Sequence, residues 1–368
     1  MQMMNKPFAF SLGDYLQAIA APLPPALVPP SDLVAATTLL AKFPAQLADT
    51  LFFEIRLGRS DAPTDVSFSV RPAAARVLHA IATDYLSHPV WAGLHRFAQQ
   101  WDSETTPRIA ALWLEFDMPT ADAIPILFID PQPSIGNGAA YVQWANTFFP
   151  RLTGQALSPA LVHHMANAID VRTAGQPVHM FGSLMARGTS AQRLSVLVQD
   201  CDEILPYLRR TGWDISADAL QPMLSLAARQ GFLGALNLDI TDDGVLPKVG
   251  IEYFMRDSEQ VVRFLPSLVA LGLCEPDRAA ALSGFGAVSR AFSDPRHPAP
   301  LRTASQLLDG RAESHIVWEV CHIKVTCDVY AVDCPLEAKA YVRARREWRT
   351  PSGQHWPRTA LDRKSSSR

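Results

Sequence analysis

The stretch Gly234-Ala-Leu-Asn-Leu-Asp-Ile240, followed by Thr241-Asp-Asp-Gly244 and by Lys248-Val-Gly-Ile-Glu-Tyr-Phe-Met255, decides the fold class. Apolar residues alternate with polar ones on both sides of an Asp-Gly turn, the pattern of two antiparallel strands joined as a hairpin. Leu236, Leu238 and Ile240, then Val249, Ile251 and Tyr253, share one face; Asn237, Asp239, Lys248 and Glu252 share the other. One face is therefore meant for a core, and the other is not.

The same period recurs outward along the chain. Leu51–Gly58 pairs with Asp65–Arg71, Ile109–Met118 with Ile124–Ile129, and Pro177–Ala186 with Arg193–Gln199. A fifth pair is expected from His315–Val320 and Cys321–Asp328, which are close enough to merge into one strand. Helical patterning separates the pairs. Ser158-Pro159 caps and opens Ala160–Ile169, Ser216 precedes Ala217–Gln230 with Gly231 to close it, and Ser258 precedes Glu259–Leu271 with Gly272 at the left-handed closing position. Pro276 begins a helix predicted over Asp277–Arg290, and Leu336–Arg346 is predicted as the last helix.

Strands that arrive as hairpins between helices build an antiparallel α+β sheet, not a parallel doubly wound one. Ten such strands leave two exposed edges unless they close, and closure removes the edges. The expected architecture is a ten-stranded antiparallel barrel of five α-β-β-α repeats with helices outside. Its parts are an N-terminal segment over residues 1–31, a single barrel domain over residues 32–347, and a basic tail over residues 348–368 that is expected to be disordered.

Composition bounds the function. Of 368 residues 48% are hydrophobic and 19% charged, which suits one large core. A net charge of −3 supplies no electrostatic reason for a nucleic-acid partner. No apolar run is long enough for a membrane helix and residues 1–30 do not read as a signal peptide, so a cytoplasmic location is expected. Cys201, Cys274, Cys321, Cys327 and Cys334 lack the paired spacing of a zinc site and read as free thiols. No Walker loop, dinucleotide fingerprint or nucleophile elbow occurs, and the adjacent His163 and His164 would point about 100° apart on a helix.

The chemistry is carried by the non-core strand faces. They hold Glu54 and Arg56, Ser67 and Ser69, Trp113, Glu115 and Asp117, Arg193 and Ser195, Asn237 and Asp239, Lys248 and Glu252, then His322, Lys324 and Thr326. An open sheet would show this face to water; a closed barrel would turn it into a polar chamber. Glu115 and Asp117 are the candidate catalytic residues. Two carboxylates beside the Trp113 indole suit proton transfer, and the alternative is a solvated or ion-paired strand. His322 and Lys324 would contact a phosphate or balance carboxylates across the sheet.

The element order, with Asp239 and Pro247 ahead of Lys248-Val-Gly250-Ile-Glu252-Tyr253, and with His322-Ile-Lys324-Val-Thr326 on the last strand, resembles the ABBA or prenyltransferase-barrel family over approximately residues 32–347. That resemblance implies a wide lumen and prenyl transfer from an allylic diphosphate to an aromatic or ribosomal-peptide acceptor in specialised metabolism. Members often carry an Arg-x-Lys-x-Tyr strand whose cations hold the diphosphate. Here Lys248 and Lys324 match as basic positions, Gly250 and Glu252 depart, and Tyr253 falls on the opposite face. Arg56, Trp113, Arg193, Asp239, Lys248, Glu252, His322 and Lys324 are the expected substrate contacts. No protein-bound metal is assigned, although Mg²⁺ shared between carboxylates and donor phosphates would reconcile the mixed charges. The competing reading is a non-catalytic barrel that binds a peptide or small molecule.

Overall fold

The computed structural model describes residues 10–101, 109–120, 122–132, 134–214, 216–230, 233–328 and 336–354. Eleven strands form one sheet: β1 (Thr50–Arg56), β2 (Asp65–Val70), β3 (Ile109–Phe116), β4 (Ile126–Pro131), β5 (Val178–Ser183), β6 (Gln192–Val198), β7 (Gly234–Thr241), β8 (Gly244–Phe254), β9 (Ala287–Arg290), β10 (Glu313–Cys327) and β11 (Leu336–Arg349). Neighbours follow the order β11-β1-β2-β3-β4-β5-β6-β7-β8-β10, and β10 pairs again with β11. Ten antiparallel strands thus close on themselves. The short β9 adds to β10 outside the ring.

Helices come in pairs ahead of each strand pair, from Leu12–Ile19 and Pro30–Leu40 before β1 to Ser258–Ala270 and Pro276–Ser283 before β9. The main core lies between these helices and the outward strand faces: Phe53, Ile55, Phe68, Leu112, Leu114, Leu194, Leu236, Ile251, Tyr253 and Ile323 are all buried there. Tyr253 turns away from the lumen, and its hydroxyl donates to the Met223 carbonyl at 2.8 Å.

Three expectations are corrected. Leu336–Arg346 is not a helix; it belongs to β11, the strand that closes the barrel against both β1 and β10. Ala338, Ala340, Val342 and Ala344 face the helices while Lys339, Tyr341 and Arg343 face inward, so period-2 burial overrides the helix-favouring Ala, Lys and Arg content. The two segments expected as the fifth hairpin are one strand, β10, with a bulge between Val320 and His322 that shifts the alternation by one residue. The helix expected over Asp277–Arg290 stops at Ser283; Gly284 and Gly286 (φ +153°) end it, and residues 287–290 become β9.

Strand β11 runs through Trp348 to Arg349, across the expected start of the tail, while residues 355–368 lie outside the described residues. At the other end the helix Leu12–Ile19 belongs to the barrel's cover. The Trp318 indole of β10 donates to the Ile19 carbonyl at 3.0 Å, so the helix Leu12–Ile19 packs over β10.

Helix Pro89–Gln100 crosses Gly138–Thr153 at Gly93, where an added Cβ would fall 1.5 Å from the Leu152 carbonyl oxygen. Neither backbone can yield locally. Gly93→Ala is expected to destabilise the fold by about 2–4 kcal/mol in chemical denaturation, at the upper end for overpacking; a loss below about 1 kcal/mol would show that the two helices slide apart freely.

Candidate active site

The inward faces enclose a cavity of about 400 Å³. Its middle is aromatic. Phe52 meets Trp113 edge to face at 5.2 Å, and His322 stacks on Tyr341 at 4.1 Å. Phe254 stands edge-on to His322 at 6.1 Å and to His179 at 5.7 Å, and Phe128 lies beneath the Arg193 guanidinium at 6.0 Å.

Above this belt is a layer of ion pairs. Lys339 holds Glu54 at 2.6 Å, and Tyr341 donates to the same carboxylate. Arg193 makes two hydrogen bonds to Asp239, at 2.7 and 2.9 Å, and Arg187 grips Asp117 at 2.7 and 2.8 Å and reaches Glu115 at 3.4 Å. Arg56 binds Asp65 at 2.9 Å and Glu337 at 3.5 Å. Glu252 accepts from Asn237 at 3.0 Å, while the Lys324 ammonium stands 3.5 Å away from it. Lys324 therefore has the most distant nearest carboxylate among these lumen cations.

These pairings set the proton affinities. Burial raises the Glu54 carboxyl, but Lys339, its hydrogen bonds from Lys339 and Tyr341, and Lys324 outweigh burial and hold it at about 2. For Glu252 burial is likewise outweighed, by His322, Lys324 and His179, which bring it to about 2. Burial, reinforced by Glu54, pushes Glu115 from its usual 4.5 to about 7. Burial lowers His322 to about 4, so the imidazole on Tyr341 is neutral at pH 7. Burial and then Arg193 lower the affinity of Lys324 for its proton, the state of a cation with too little opposite charge around it.

Of the residues picked from the sequence, Trp113, Glu115, Arg193, Glu252, His322 and Lys324 line the cavity together. Asp239 lies on the same face but acts on Arg193 from outside the cavity wall. Asp117 follows the end of β3 and is half-exposed, engaged with Arg187. Arg56 sits at the end of β1 and is committed to Asp65, Glu337 and the Pro63 carbonyl. Lys248 is exposed and does not line the cavity. Between the pairs Leu238↔Val249 and Ile240↔Val245, β8 carries three residues against one, and Pro247 within them has no N–H to give the ladder. That bulge carries Lys248 out to the rim.

Gly250, where the resembling strand would carry a cation, has a spatial reason. A Cβ there would stand 2.8 Å from Lys324 Cε, because the lysine from β10 lies across it. Sequence reasoning missed Lys339, Tyr341 and Arg343 with their strand, and it missed Arg187, which comes from the turn Met185–Arg187 after β5. Alternation within Leu336–Arg349 was the available signal for the first three; a turn residue has no comparable one.

The sequence matches no protein-family model and no curated protein. The structure is similar to that of 6-dimethylallyltryptophan synthase from Micromonospora olivasterospora in complex with DMASPP and Trp. The TM-score is 0.51 at 12% identity, over 92% of this chain and 98% of that one. A second 6-dimethylallyl tryptophan synthase aligns with TM-score 0.50 and 13% identity over 90% of this chain and 96% of its own. The chain has the prenyltransferase-barrel fold. In this prenyltransferase barrel the lumen is divided between an aromatic belt and an ion-paired layer, and Lys324 lies where the two meet. Among the described residues no helix is long and apolar enough to cross a membrane. Cys201, Cys274, Cys321 and Cys327 are free thiols, as expected; Cys334 lies outside the described residues.

Proposed function

We propose that the barrel transfers an isoprenyl group from an allylic diphosphate to an electron-rich aromatic acceptor. The observation that carries this is Lys324, a buried ammonium 3.5 Å from its nearest carboxylate, placed beside an aromatic belt. Such a cation gains from an anionic ligand, and π-faces attract a carbocation by about 0.5–2 kcal/mol each.

In this reading the diphosphate lies toward Lys324 and Arg193. The allylic C–O bond breaks with its electron pair leaving on the diphosphate, and Phe52, Trp113, Phe254 and Tyr341 flank the allylic cation. A ring carbon of the acceptor forms the new bond. The resulting arenium loses its ring proton to Glu115 and regains aromaticity. A carboxyl group at about 7 is divided between its two forms at neutral pH, which suits a base that must also release the proton.

The residues present do not form a cage for Mg²⁺. Glu54, Asp239 and Glu252 are each engaged by cations or hydrogen-bond donors, and the one close group of three ligand-type side chains among the described residues, Asp200, Cys201 and Asp202, follows the end of β6 and does not line the cavity.

The pairing of the other lumen cations favours a second reading, a chamber that binds an aromatic molecule without chemistry. Calorimetric titration of dimethylallyl diphosphate into Lys324→Ala separates the two. Prenyl transfer requires donor affinity to fall by about 1–3 kcal/mol. The double variant Lys324→Ala/Glu252→Gln controls for the carboxylate left behind. Unchanged affinity would remove Lys324 from the donor site.

A further inference from the structure

The acidic side chains that line the cavity are Glu115, Asp130 and Glu252. Glu115 and Glu252 have cationic partners. Asp130, on β4 two residues beyond Phe128, makes no hydrogen bond or ion pair among the described residues; its electrostatic neighbours are His179 and Arg71, and Arg71 is engaged by Asp49 at 3.4 Å. The strand period puts Phe128 and Asp130 on the same inward face. His179, next along the wall on β5, presents its ring to the cavity beside Phe254.

A half-buried carboxylate with no ion-pair partner among the described residues, set among aromatic faces, is the chemistry that recognises an organic ammonium. We infer that this end of the cavity holds the protonated amine of the acceptor, and that the acceptor is an arylalkylamine in preference to an amino acid. The inference rests on the aromatic-acceptor reading above and narrows it. A carboxylate on the same carbon as the amine would find no free cation nearby among the described residues: in this reading Lys324 and Arg193 face the donor diphosphate, Arg71 is engaged by Asp49, and Arg343 is held by Glu319 at 2.6 Å on β11, four strands from β4 around the ring. The unsatisfied charge of Asp130 is supported by its carboxyl group being raised, by burial first, from the usual aspartate value.

The test is calorimetric and needs no donor. Tryptamine, L-tryptophan and the uncharged 3-ethylindole are titrated into the wild-type protein and into Asp130→Asn, which keeps the side chain's shape. Tryptamine should bind about tenfold or more tighter than 3-ethylindole, as one charge-assisted contact implies, and tighter than tryptophan. Asp130→Asn should abolish the tryptamine preference and leave 3-ethylindole unchanged. Tryptophan binding as tightly as tryptamine, equal weakening of all three ligands by the substitution, or no binding of tryptamine at millimolar concentration would each overturn the inference. Donor binding is measured separately, so loss of the prenyl-transfer reading with amine preference intact, or the reverse, is distinguishable.

Discussion

Glu115→Gln should slow prenyl transfer roughly 100-fold or more while leaving donor affinity close to that of the wild-type protein, as expected when a general base is lost. The amide keeps the size of the carboxylate and its place beside Trp113 and Arg187, so the cavity should keep its shape. What disappears is the acceptor for the arenium proton. The wild-type rate should rise with pH through about 7 as Glu115 ionises, and the Gln variant should lose that limb. Stability gives the control. A carboxyl group raised from 4.5 to about 7 contributes stability that is present below 4.5 and lost as pH rises through 7, so Glu115→Gln should be no less stable than the wild type at neutral pH. A variant that folds, binds the donor and turns over at the wild-type rate would assign the proton to another group.

Lys339→Ala has the largest expected effect on stability. The Glu54 carboxylate is buried, 2.6 Å from Lys339, and shares a hydrogen bond with Tyr341. Removing one partner of a buried pair leaves an uncompensated charge, which typically costs about 3–5 kcal/mol. The pair also joins β1 to β11 at the seam where the barrel closes. With its carboxyl held at about 2, Glu54 contributes stability that is present above its usual 4.5 and lost as pH falls through 2. The gap between wild type and Lys339→Ala should therefore narrow on acidification from about pH 4.5 toward pH 2, and the double variant Lys339→Met/Glu54→Gln should recover most of the loss at neutral pH. Chemical denaturation reads both effects. A loss under about 1 kcal/mol at pH 7 would mean that water, not Lys339, neutralises Glu54.

These two residues also mark how far the sequence could be read. Glu115 was accessible because Trp113, Glu115 and Asp117 alternate strictly with Leu112, Leu114 and Phe116, and phase alone separates lumen from core. The eight strands of the first four hairpins were legible for the same reason. Lys339 was not, because Leu336–Arg349 is rich in Ala, Lys, Arg and Glu, whose local preference is helical. Its strand conformation is imposed by pairing with β1, nearly three hundred residues earlier in the chain. The bulge at Val320/His322 concealed the single strand β10 by shifting its phase, and the bulge around Pro247 moved Lys248 from the expected wall to the rim.

The partners of the site residues lay beyond sequence reading for a different reason. Arg193 with Asp239 and Lys324 with Glu252 are cross-strand neighbours fixed by register. Register follows from how hairpins of unequal length close into a ring. The acidic residues of the lumen neutralise individual cations there, and among the described residues lining the cavity this leaves Lys324 as the under-compensated cation and Asp130 as the carboxylate without an ion pair.

Titration calorimetry of the wild-type protein with dimethylallyl and geranyl diphosphate at neutral pH, each with and without Mg²⁺, tests prenyl transfer most directly. Saturable binding of at least one donor below millimolar concentration, weakened by Lys324→Ala, is the expected result. Absence of binding by both donors at millimolar concentration, under either condition, would contradict it and leave a chamber that binds without transferring.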